Sequence, residues 1–452
     1  MENKIITKDV VIIGGGISGS IAAIASGRTK VSVLLIEETG CLGGSLTSCG
    51  TGPMMTFHAG KEQVIKGITD ELIQRLKKKG LSPGHIVDST GYTYTVTPFD
   101  SEGMKRELEL MCLEAGVSIL YHTVVSSVTI DNKRIEEVDL ISCGTHFSAK
   151  AKVYIDATGD ADLFYQCGLK TLKGRSIDEK NQPLTTNFKL THVDIDKIRN
   201  LMEKNVELFP FLKEKKGIEK NALRISCSGF QDIMKEGMKN GEISFDRDIV
   251  LFFETNNKNE VIVNMTRIND LNPTEPFDLA LAEIEGRRQV WELFPFLVKN
   301  IPGFENSKII STGPNIGIRS SRRIIGEYSL SVDDILKGRK FNDGISCCGY
   351  PVDIHSSEGT QTKTTFLDYG VYYSIPYRCL ITSLLTNIIA TGRIVSCSFE
   401  AQASLRVSPS CGSLGQAAGC AAALSVSSNI DPIDLDAKIL RNQLKKMGAV
   451  ID

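Results

Sequence analysis

The chain has 452 residues, of which 41% are hydrophobic and 23% charged, a composition typical of a globular enzyme with two or three domains. Its 52 basic and 54 acidic side chains give a formal net charge of −2, which leaves no basic surplus for binding a nucleic acid backbone. No apolar run of about 18 residues predicts a membrane span, so neither nucleic acid nor a membrane is an expected partner.

The N-terminal segment and the cysteines predict a cytoplasmic protein without a metal. A strand and a glycine cluster begin by Asp9, with no signal-peptide pattern before them. The 12 cysteines show neither C-x-x-C pairs nor the spacing of zinc or iron–sulfur sites, so we expect reduced thiols and no metal ligands. Cys41 and Cys49 lack the spacing of a redox disulfide, and structural thiols are favoured there.

The first forty residues predict a dinucleotide-binding βαβ unit. A short apolar strand at 9–13 precedes GGGISG at 14–19, a small-residue helix follows, and a second strand at 31–36 ends in Glu37. In such a unit the phosphates lie at the N-terminus of the helix, where backbone N–H groups have no partner. A carboxylate at the end of the second strand is placed to accept hydrogen bonds from ribose hydroxyls.

The three glycines of this unit fit the pattern G-x-G-x-x-G. Gly14 allows a tight turn, Gly16 lets a pyrophosphate approach the backbone, and Gly19 lets the helix pack closely on the strand. The alternative is a glycine-rich turn without a ligand. The motif opens a strand–helix unit once in this chain, so no separate NAD(P)H domain is predicted.

The remaining elements follow in chain order and divide the chain into two parts. The composition changes over 166–305, which are richer in Lys, Asn and Phe, and we interpret this stretch as an inserted domain. The pattern predicts helices at 61–79 and 104–115, strands at 117–121, 124–130, 135–141 and 152–160, a hairpin within 251–268, a long amphipathic helix at 278–299, a returning strand near 387–394 and a small-residue helix at 411–426.

Three later segments favour FAD over NAD as the dinucleotide. The glycine-rich loop at 42–45 directly follows the ribose-binding acid, and the strand at 155–160 ends in small residues that allow close approach of a cofactor. The segment 390–393 and the helix from 411 offer a second helix N-terminus, which would stabilise negative charge on a flavin ring. The alternative is that this helix only packs.

These segments resemble the family of FAD-dependent oxidoreductases with a glutathione-reductase-like FAD domain. The resemblance runs nearly end to end and rests on the motifs GGGISG (14–19), EETGCLGGS (37–45), KVYIDATGDAD (152–162), VNMTRI (263–268), AEIEGRRQV (282–290), PGFENS (302–307), IRSSRRIIGEY (318–328), YPVDIH (350–355), IPYRCL (375–380), ATGRIVS (390–396) and RVSPSCGSLGQAAG (406–419).

The resemblance implies an α/β fold with a Rossmann-type FAD-binding domain and an inserted α+β substrate domain. The FAD domain would take residues 1–165 and 306–452, and the substrate domain residues 166–305. The residues expected to contact FAD are Gly14, Gly16, Ile17, Ser18, Gly19, Glu37, Glu38, Gly43, Gly44, Ser45, Val125, Ala157, Thr158, Gly159, Asp160, Gly392, Arg393, Gly412, Leu414, Gly415 and Gln416.

The sequence departs from the family pattern at two positions. Phe399 stands where relatives carry a histidine before a glutamate, so a catalytic role at that position is not expected. Glu38 stands where relatives often carry a basic residue. Cys411, at the predicted helix start, is either a small buried residue or a thiol of lowered pKa, and the buried residue is favoured.

The candidate catalytic residues are His355, Arg319, Arg378, Tyr350 and Arg406. Arginine matches a carboxylate with two hydrogen bonds, and histidine has a pKa near neutrality, so these residues suit an anionic substrate and proton transfer. The alternative is that the arginines form ion pairs that hold two domains together.

The sequence therefore predicts an enzyme that oxidises or reduces a small organic substrate by hydride transfer at FAD. We expect an anionic group on the substrate and an external electron donor or acceptor. Two alternatives stay open: a flavin subunit that relays electrons in a larger complex, and a flavin-dependent lyase or isomerase. The oligomeric state, a homo-oligomer included, is also open.

Overall fold

The computed structural model of the chain describes residues 4–212, 222–356, 359 and 362–452. It is a mixed α/β structure, which confirms the predicted fold class. The strands are β1 (Ile5–Ile13), β2 (Val33–Ile36), β3 (His58–Ala59), β4 (Glu62–Gln63), β5 (Ile86–Val87), β6 (Thr95–Val96), β7 (Ser118–Leu120), β8 (Thr123–Asp131), β9 (Arg134–Ser142), β10 (Thr145–Asp156), β11 (Thr171–Lys173), β12 (Phe188–Thr191), β13 (Ser226–Gly229), β14 (Val250–Glu254), β15 (Val261–Val263), β16 (Lys308–Thr312), β17 (Arg322–Ile324), β18 (Gly344–Cys348), β19 (Val352–His355), β20 (Thr362–Thr365), β21 (Tyr373–Pro376) and β22 (Ile388–Ala390).

The α-helices are α1 (Ile17–Arg28), α2 (Ile68–Lys78), α3 (Ser101–Glu114), α4 (Asp162–Gln166), α5 (Ile195–Lys204), α6 (Gln231–Lys239), α7 (Pro276–Asn300), α8 (Val332–Leu336), α9 (Phe399–Leu405), α10 (Ser408–Ser428) and α11 (Ala437–Lys446). Short 3₁₀ turns lie at Gly44–Leu46, Val206–Leu208, Pro210–Leu212, Tyr377–Cys379, Gly392–Ile394 and Pro432–Asp434. Among the described helices, none combines the length and the apolar character needed to cross a bilayer.

The first sheet is built around the predicted βαβ unit. Its strands run in the order β7-β2-β1-β10-β9-β8, and β22 also pairs with β10. β1 is parallel to both neighbours, so Ile12 lies between Leu35 on β2 and Ile155 on β10. The parallel strands β1, β2, β10 and β22 therefore end at the same edge of the sheet, where open α/β sheets bind their ligands.

Two helices rich in small residues cover one face of this sheet. α1 is buried along almost its whole length, because α10 packs directly against it. The close approach depends on glycines: a Cβ atom built on Gly415 would lie 2.1 Å from the carbonyl oxygen of Ser18, and one on Gly419 would lie 2.2 Å from that of Ala22. A helix near the C-terminus thus packs onto the first helix of the chain.

The second sheet has five strands in the order β13-β14-β15-β12-β16, all with antiparallel neighbours. The predicted hairpin is confirmed as the β14–β15 pair, and the predicted long helix is α7, which buries Val290, Leu293 and Leu297 against this sheet. β16 belongs to this sheet because its backbone pairs with β12, although it lies beyond residue 305, the expected end of the inserted domain. The sheet therefore reaches Thr312, and the domain division stays a prediction with that correction.

Two helix boundaries differ from the prediction for local reasons. The helix expected over 61–79 begins at Ile68, because Gly67 has a positive φ of 70° and Glu62–Gln63 form β4. The helix expected from residue 104 begins at Ser101, where the side chain of Asp100 accepts a hydrogen bond from the Gly103 N–H at 2.7 Å.

Candidate active site

A first cavity of about 520 Å³ lies at the edge where the parallel strands of the first sheet end. The turn after β1 forms its floor. Gly14 has φ +100°, and a Cβ atom there would lie 2.4 Å from the carbonyl oxygen of Ala157. A Cβ atom on Gly19 would lie 1.8 Å from the carbonyl oxygen of Gly14. These two glycines are therefore required by the packing of the turn, as the motif predicts.

Gly16 is different, because no close packing explains it. A Cβ atom built there would meet only the Cα atom of Gly44, at 4.0 Å, and would otherwise point into open space. Gly16 is the N-cap of α1, where no side chain caps the helix, and the next residues, Ile17 and Ser18, line the cavity. Uncapped N–H groups at a helix N-terminus bind anions, so this floor fits a pyrophosphate.

Glu37 follows β2 and lies on the cavity wall with its carboxylate held in place. Oε2 accepts from the Gly15 N–H at 2.7 Å, and Oε1 accepts from the N–H of Thr39 at 2.8 Å and from its hydroxyl at 2.6 Å. The adjacent Glu38 also lines the cavity, and burial and then the charge of Glu37 raise the pKa of its carboxyl. Acceptor oxygens at this position fit ribose hydroxyls.

The loop after β10 faces the segment after β22 across the cavity. Asp160 accepts a hydrogen bond from Arg393 Nη2 at 2.9 Å. Gly159, with φ +84°, lies against the guanidinium of Arg393, and a Cβ atom on Gly159 would come within 2.9 Å of it. The expected small residue at this position is thus needed for the Arg393 contact.

α10 reaches the cavity with its first turn, but it begins at Ser408, earlier than the predicted start at 411. Ser408 and Cys411 line the cavity, as the predicted helix N-terminus required. Burial raises the pKa of the Cys411 thiol to about 12, so this cysteine is not a thiolate at neutral pH. Cys41 and Cys49 are free thiols, and Cys49 donates to the carbonyl oxygen of Ile316 at 3.3 Å.

Six predicted cofactor residues lie behind the wall instead of on it. Gly415 packs on α1, Gln416 Oε1 accepts from the Ile68 N–H at 2.8 Å, and Gly43 donates to the carbonyl oxygen of Gly15 at 2.9 Å. A cofactor contact is therefore not supported for Gly19, Gly43, Gly412, Leu414, Gly415 and Gln416. The predicted residues on the wall are Gly14, Gly16, Ile17, Ser18, Glu37, Glu38, Gly44, Ser45, Val125, Ala157, Thr158, Gly159, Asp160, Gly392 and Arg393.

A second cavity of about 520 Å³ adjoins the first and is lined by strands of the second sheet and by the β19–β20 pair. Both cavities are lined by Ser45, Ile318, Arg393, Arg406 and Ser408, so they share a boundary. Four of the five predicted catalytic residues line the second cavity: His355, Arg319, Tyr350 and Arg406. The structure brings them together from β19, from the segment before β17 and from the start of α10.

His355 has both ring nitrogens in contact with protein groups. Nε2 lies 3.2 Å from Asp353 Oδ2, and Nδ1 lies 3.2 Å from the hydroxyl of Thr362. Burial lowers the pKa of His355 to about 4 against the attraction of Asp353. Burial alone would raise the pKa of Asp353. The interactions with His355 and Arg406 nevertheless hold this pKa well below its ordinary value. The pair is therefore a neutral imidazole beside a carboxylate.

Within the described part of the chain, the hydrogen bonds of three arginines on this wall go to uncharged groups. Arg247 Nη2 donates to the carbonyl oxygen of Asn264 at 3.1 Å, and Arg319 Nη1 donates to that of Pro183 at 2.7 Å. Arg406 Nη2 lies 3.5 Å from the side-chain oxygen of Gln182. Arg247 is 6% exposed, and its Nε atom is buried without an acceptor, as is that of Arg406.

The structure contradicts the predicted catalytic role of Arg378. Its guanidinium pairs with Asp343 at 2.9 Å and lies 5.0 Å from the ring centre of Tyr328, on the surface and off both cavity walls. The structural alternative holds for this residue, with Asp343 as its partner. Arg247 was missed, because it lies between Asp246 and Asp248 in an irregular segment before β14, and no local pattern there marks a binding residue.

The pattern of the family described as FAD dependent oxidoreductase matches residues 9–444. The chain is 26% identical over 199 residues to digeranylgeranylglycerophospholipid reductase 1 of Methanococcoides burtonii, which covers 42% of this chain and 46% of that protein. It is 27% identical over 116 residues to dihydrolipoamide dehydrogenase of Chaetomium thermophilum, covering 26% of this chain and 22% of that protein. The chain thus matches less than half the length of these curated relatives.

Solved structures with a similar course of the chain include a geranylgeranyl bacteriochlorophyll reductase-like protein from Thermoplasma acidophilum. It is 13% identical with a TM-score of 0.49, over 99% of this chain and 84% of that one. The L-proline dehydrogenase from P. horikoshii is 13% identical with a TM-score of 0.44, over 98% of this chain and 99% of that one.

Proposed function

Because the chain belongs to the family of FAD-dependent oxidoreductases and is an enzyme that uses FAD, we propose that it transfers a hydride between this FAD and a small anionic substrate. The observation that carries the proposal is the shared boundary of the two cavities. On one side lie the glycine turn, the helix N-terminus and Glu37, and on the other side lie the arginines and the His355–Asp353 pair.

The first cavity holds the cofactor in this proposal. The amides at the start of α1 bind the pyrophosphate, Glu37 binds the ribose, and Val125 lies beside the adenine. FAD supplies a two-electron acceptor or donor at the shared boundary. Arg393, held by Asp160, and the first turn of α10 line that boundary, and both favour negative charge on the ring.

The second cavity holds the substrate. Arg319 and Arg406 orient an anionic group, which fixes the reacting carbon for hydride transfer. In the oxidative direction the substrate loses one hydride and one proton, and His355 accepts the proton at Nδ1, since Nε2 faces Asp353. The hydroxyl of Thr362, 3.2 Å from Nδ1, is the hydrogen-bond partner that the substrate proton replaces at this atom. In the reductive direction, the same hydride and proton are transferred to the substrate.

Anaerobic mixing of the holoenzyme with a panel of carboxylates and neutral metabolites tests this function. We expect an anionic compound to bleach the flavin absorbance with saturation, and an external acceptor to restore it. A substrate that turns over while the flavin stays oxidised throughout would show a lyase or isomerase and contradict the proposal. Purification only with stoichiometric redox partners would favour an electron-transfer subunit. The cytoplasmic location and a homo-oligomeric state stay predictions, which cell fractionation and light scattering can check.

A further inference from the structure

The second cavity has a charge balance that limits the charge of its ligand. Its wall carries Arg247, Arg319 and Arg406 against two carboxylates, Asp248 and Asp353, and a further arginine, Arg393, has its own partner in Asp160. Three cations against two anions leave one positive charge. His355 adds none at neutral pH, because its pKa is lowered to about 4. One negative charge on the ligand restores neutrality.

The pKa shifts of two of these arginines agree with an excess of positive charge on this wall. Burial, and then the charges of Arg406 and Arg247, lower the pKa of Arg319 to about 9. Burial, and then the charge of Arg267, lowers the pKa of Arg247 to about 10. A buried charge without a partner is costly, so an anion placed among these groups relieves that cost. The position of this charge fixes one end of the ligand.

The other part of the wall is aromatic. Tyr92 lines the cavity with its ring centre 5.7 Å from that of Phe211, at an angle of 85°, and 6.1 Å from that of Tyr350. Phe211 is 37% exposed, although it is a large apolar side chain. Met55 and Leu251 complete this part of the wall. These rings come from separate segments of the chain, and together they form an apolar surface that a flat ring can cover.

From these two observations we propose that the ligand of the second cavity is an aromatic monocarboxylate, with its carboxylate among Arg247, Arg319 and Arg406 and its ring against Tyr92 and Phe211. This deepens the proposed function and rests on it, because it names the class of the anionic substrate. The cavity volume of about 520 Å³ lies within the range of about 300–1,000 Å³ for small-molecule sites and leaves room for a ring. Aromatic pairs at these distances favour a ring over a saturated group of the same size.

Three small acids and one amide, added to the holoenzyme, test this class of ligand. The probes are 3-phenylpropionate, its saturated match 3-cyclohexylpropionate, its neutral match 3-phenylpropionamide, and the dicarboxylate glutarate. Their Kd values are measured by perturbation of the flavin spectrum and by thermal shift. We expect 3-phenylpropionate to bind about threefold to tenfold more tightly than the cyclohexyl acid. It should bind about tenfold to hundredfold more tightly than the amide, because the amide loses the charged hydrogen bonds.

Two variants locate the preferences, and a third serves as the control. Arg247→Met should remove the preference for the acid over the amide, and Tyr92→Leu should remove the preference for phenyl over cyclohexyl. Arg378→Met, an exposed arginine off the cavity wall, should change neither ratio. The FAD content of each variant, read from its absorbance, verifies that the fold and cofactor site are intact. Both preferences are ratios, so they remain measurable in a variant that is merely less stable.

Several results would overturn the proposal. Tightest binding of glutarate would show a dianion, equal binding of the phenyl and cyclohexyl acids would show an aliphatic ligand, and no response to any probe would exclude the class. None of these results affects the reduction of the flavin by another substrate of the wider panel. Conversely, if probes bind as expected but no compound reduces the flavin, the binding class stands and the hydride-transfer proposal fails.

Discussion

The variant Gly16→Ala tests whether Gly16 serves the binding of FAD and not the stability of the fold. The backbone at Gly16 has φ −59° and ψ 177°, which an alanine adopts without strain, and the new methyl group would meet no atom closer than 4.0 Å. The apoprotein should therefore keep its stability to within about 1 kcal/mol, because the entropic gain of a Gly→Ala change at a compatible backbone offsets the lower preference for alanine at an N-cap.

The same methyl group stands where the pyrophosphate would lie against the first turn of α1. Displacing it weakens about two charged hydrogen bonds, each about 1.5–3 kcal/mol, or about 3–6 kcal/mol together. At about 1.4 kcal/mol for each factor of ten, the Kd for FAD should rise about 10²–10⁴-fold. Titration of the apoprotein with FAD by fluorescence, with calorimetry of the apoprotein alongside, measures both quantities.

Gly19→Ala is the matched control. Its Cβ atom would lie 1.8 Å from the carbonyl oxygen of Gly14, so this variant should lower the melting temperature of the apoprotein itself. Our reasoning is refuted if Gly16→Ala binds FAD within about threefold of the parent protein. It is equally refuted if Gly16→Ala destabilises the apoprotein as much as Gly19→Ala does.

The remaining predictions concern electron supply, the arginines and pH. NADH and NADPH should reduce the flavin slowly or not at all in stopped-flow mixing, because one G-x-G-x-x-G opens a strand–helix unit in this chain, and saturable rapid reduction by either would contradict this. Arg319→Lys should raise KM about tenfold or more, because lysine keeps the charge but loses the two-pronged donor. Arg378→Lys should leave KM unchanged, since Arg378 pairs with Asp343 on the surface, and equal effects of the two variants would argue against the assignment. The plot of kcat/KM against pH should stay flat from about pH 7.5 to 5.5 and fall only nearer pH 4, because burial lowers the pKa of His355 from 6.5 to about 4 and keeps the proton-accepting form. A half-maximal value near pH 6.5 would contradict the lowered pKa of His355.

The cofactor side of the site could be predicted from the sequence, because its signals are local. The strand, the glycines and Glu37 lie within one βαβ unit, where spacing determines geometry. The start of α10 was placed at 411 although Pro409, a residue favoured in the first turn of a helix, marked the earlier start. The expected FAD contacts at Gly412, Leu414, Gly415 and Gln416 follow from the resemblance alone, and the structure places these residues inside α10 behind the cavity wall.

The substrate side could be predicted only in part, because long-range packing assembles it. Arg319, Tyr350, His355 and Arg406 were placed by resemblance, and the structure gathers them around one cavity. Arg247 reaches the same wall from the segment before β14, and only the folded chain shows that it lies near the other arginines. Arg378 is also an arginine within a motif that resembles the family, but the 3₁₀ turn Tyr377–Cys379 places it at the surface.

The contact between α1 and α10 joins the two ends of the chain, and it has a consequence for synthesis in the cell. About 390 residues separate Gly16 from Ser408, which at roughly 5–20 residues per second corresponds to about 20–80 s of translation. During this interval Ile21 and Ala22, both fully buried in the folded protein, lack the helix that covers them. The nascent chain therefore exposes an apolar helix face until α10 has left the ribosome, and the wall of the first cavity is complete only after that point.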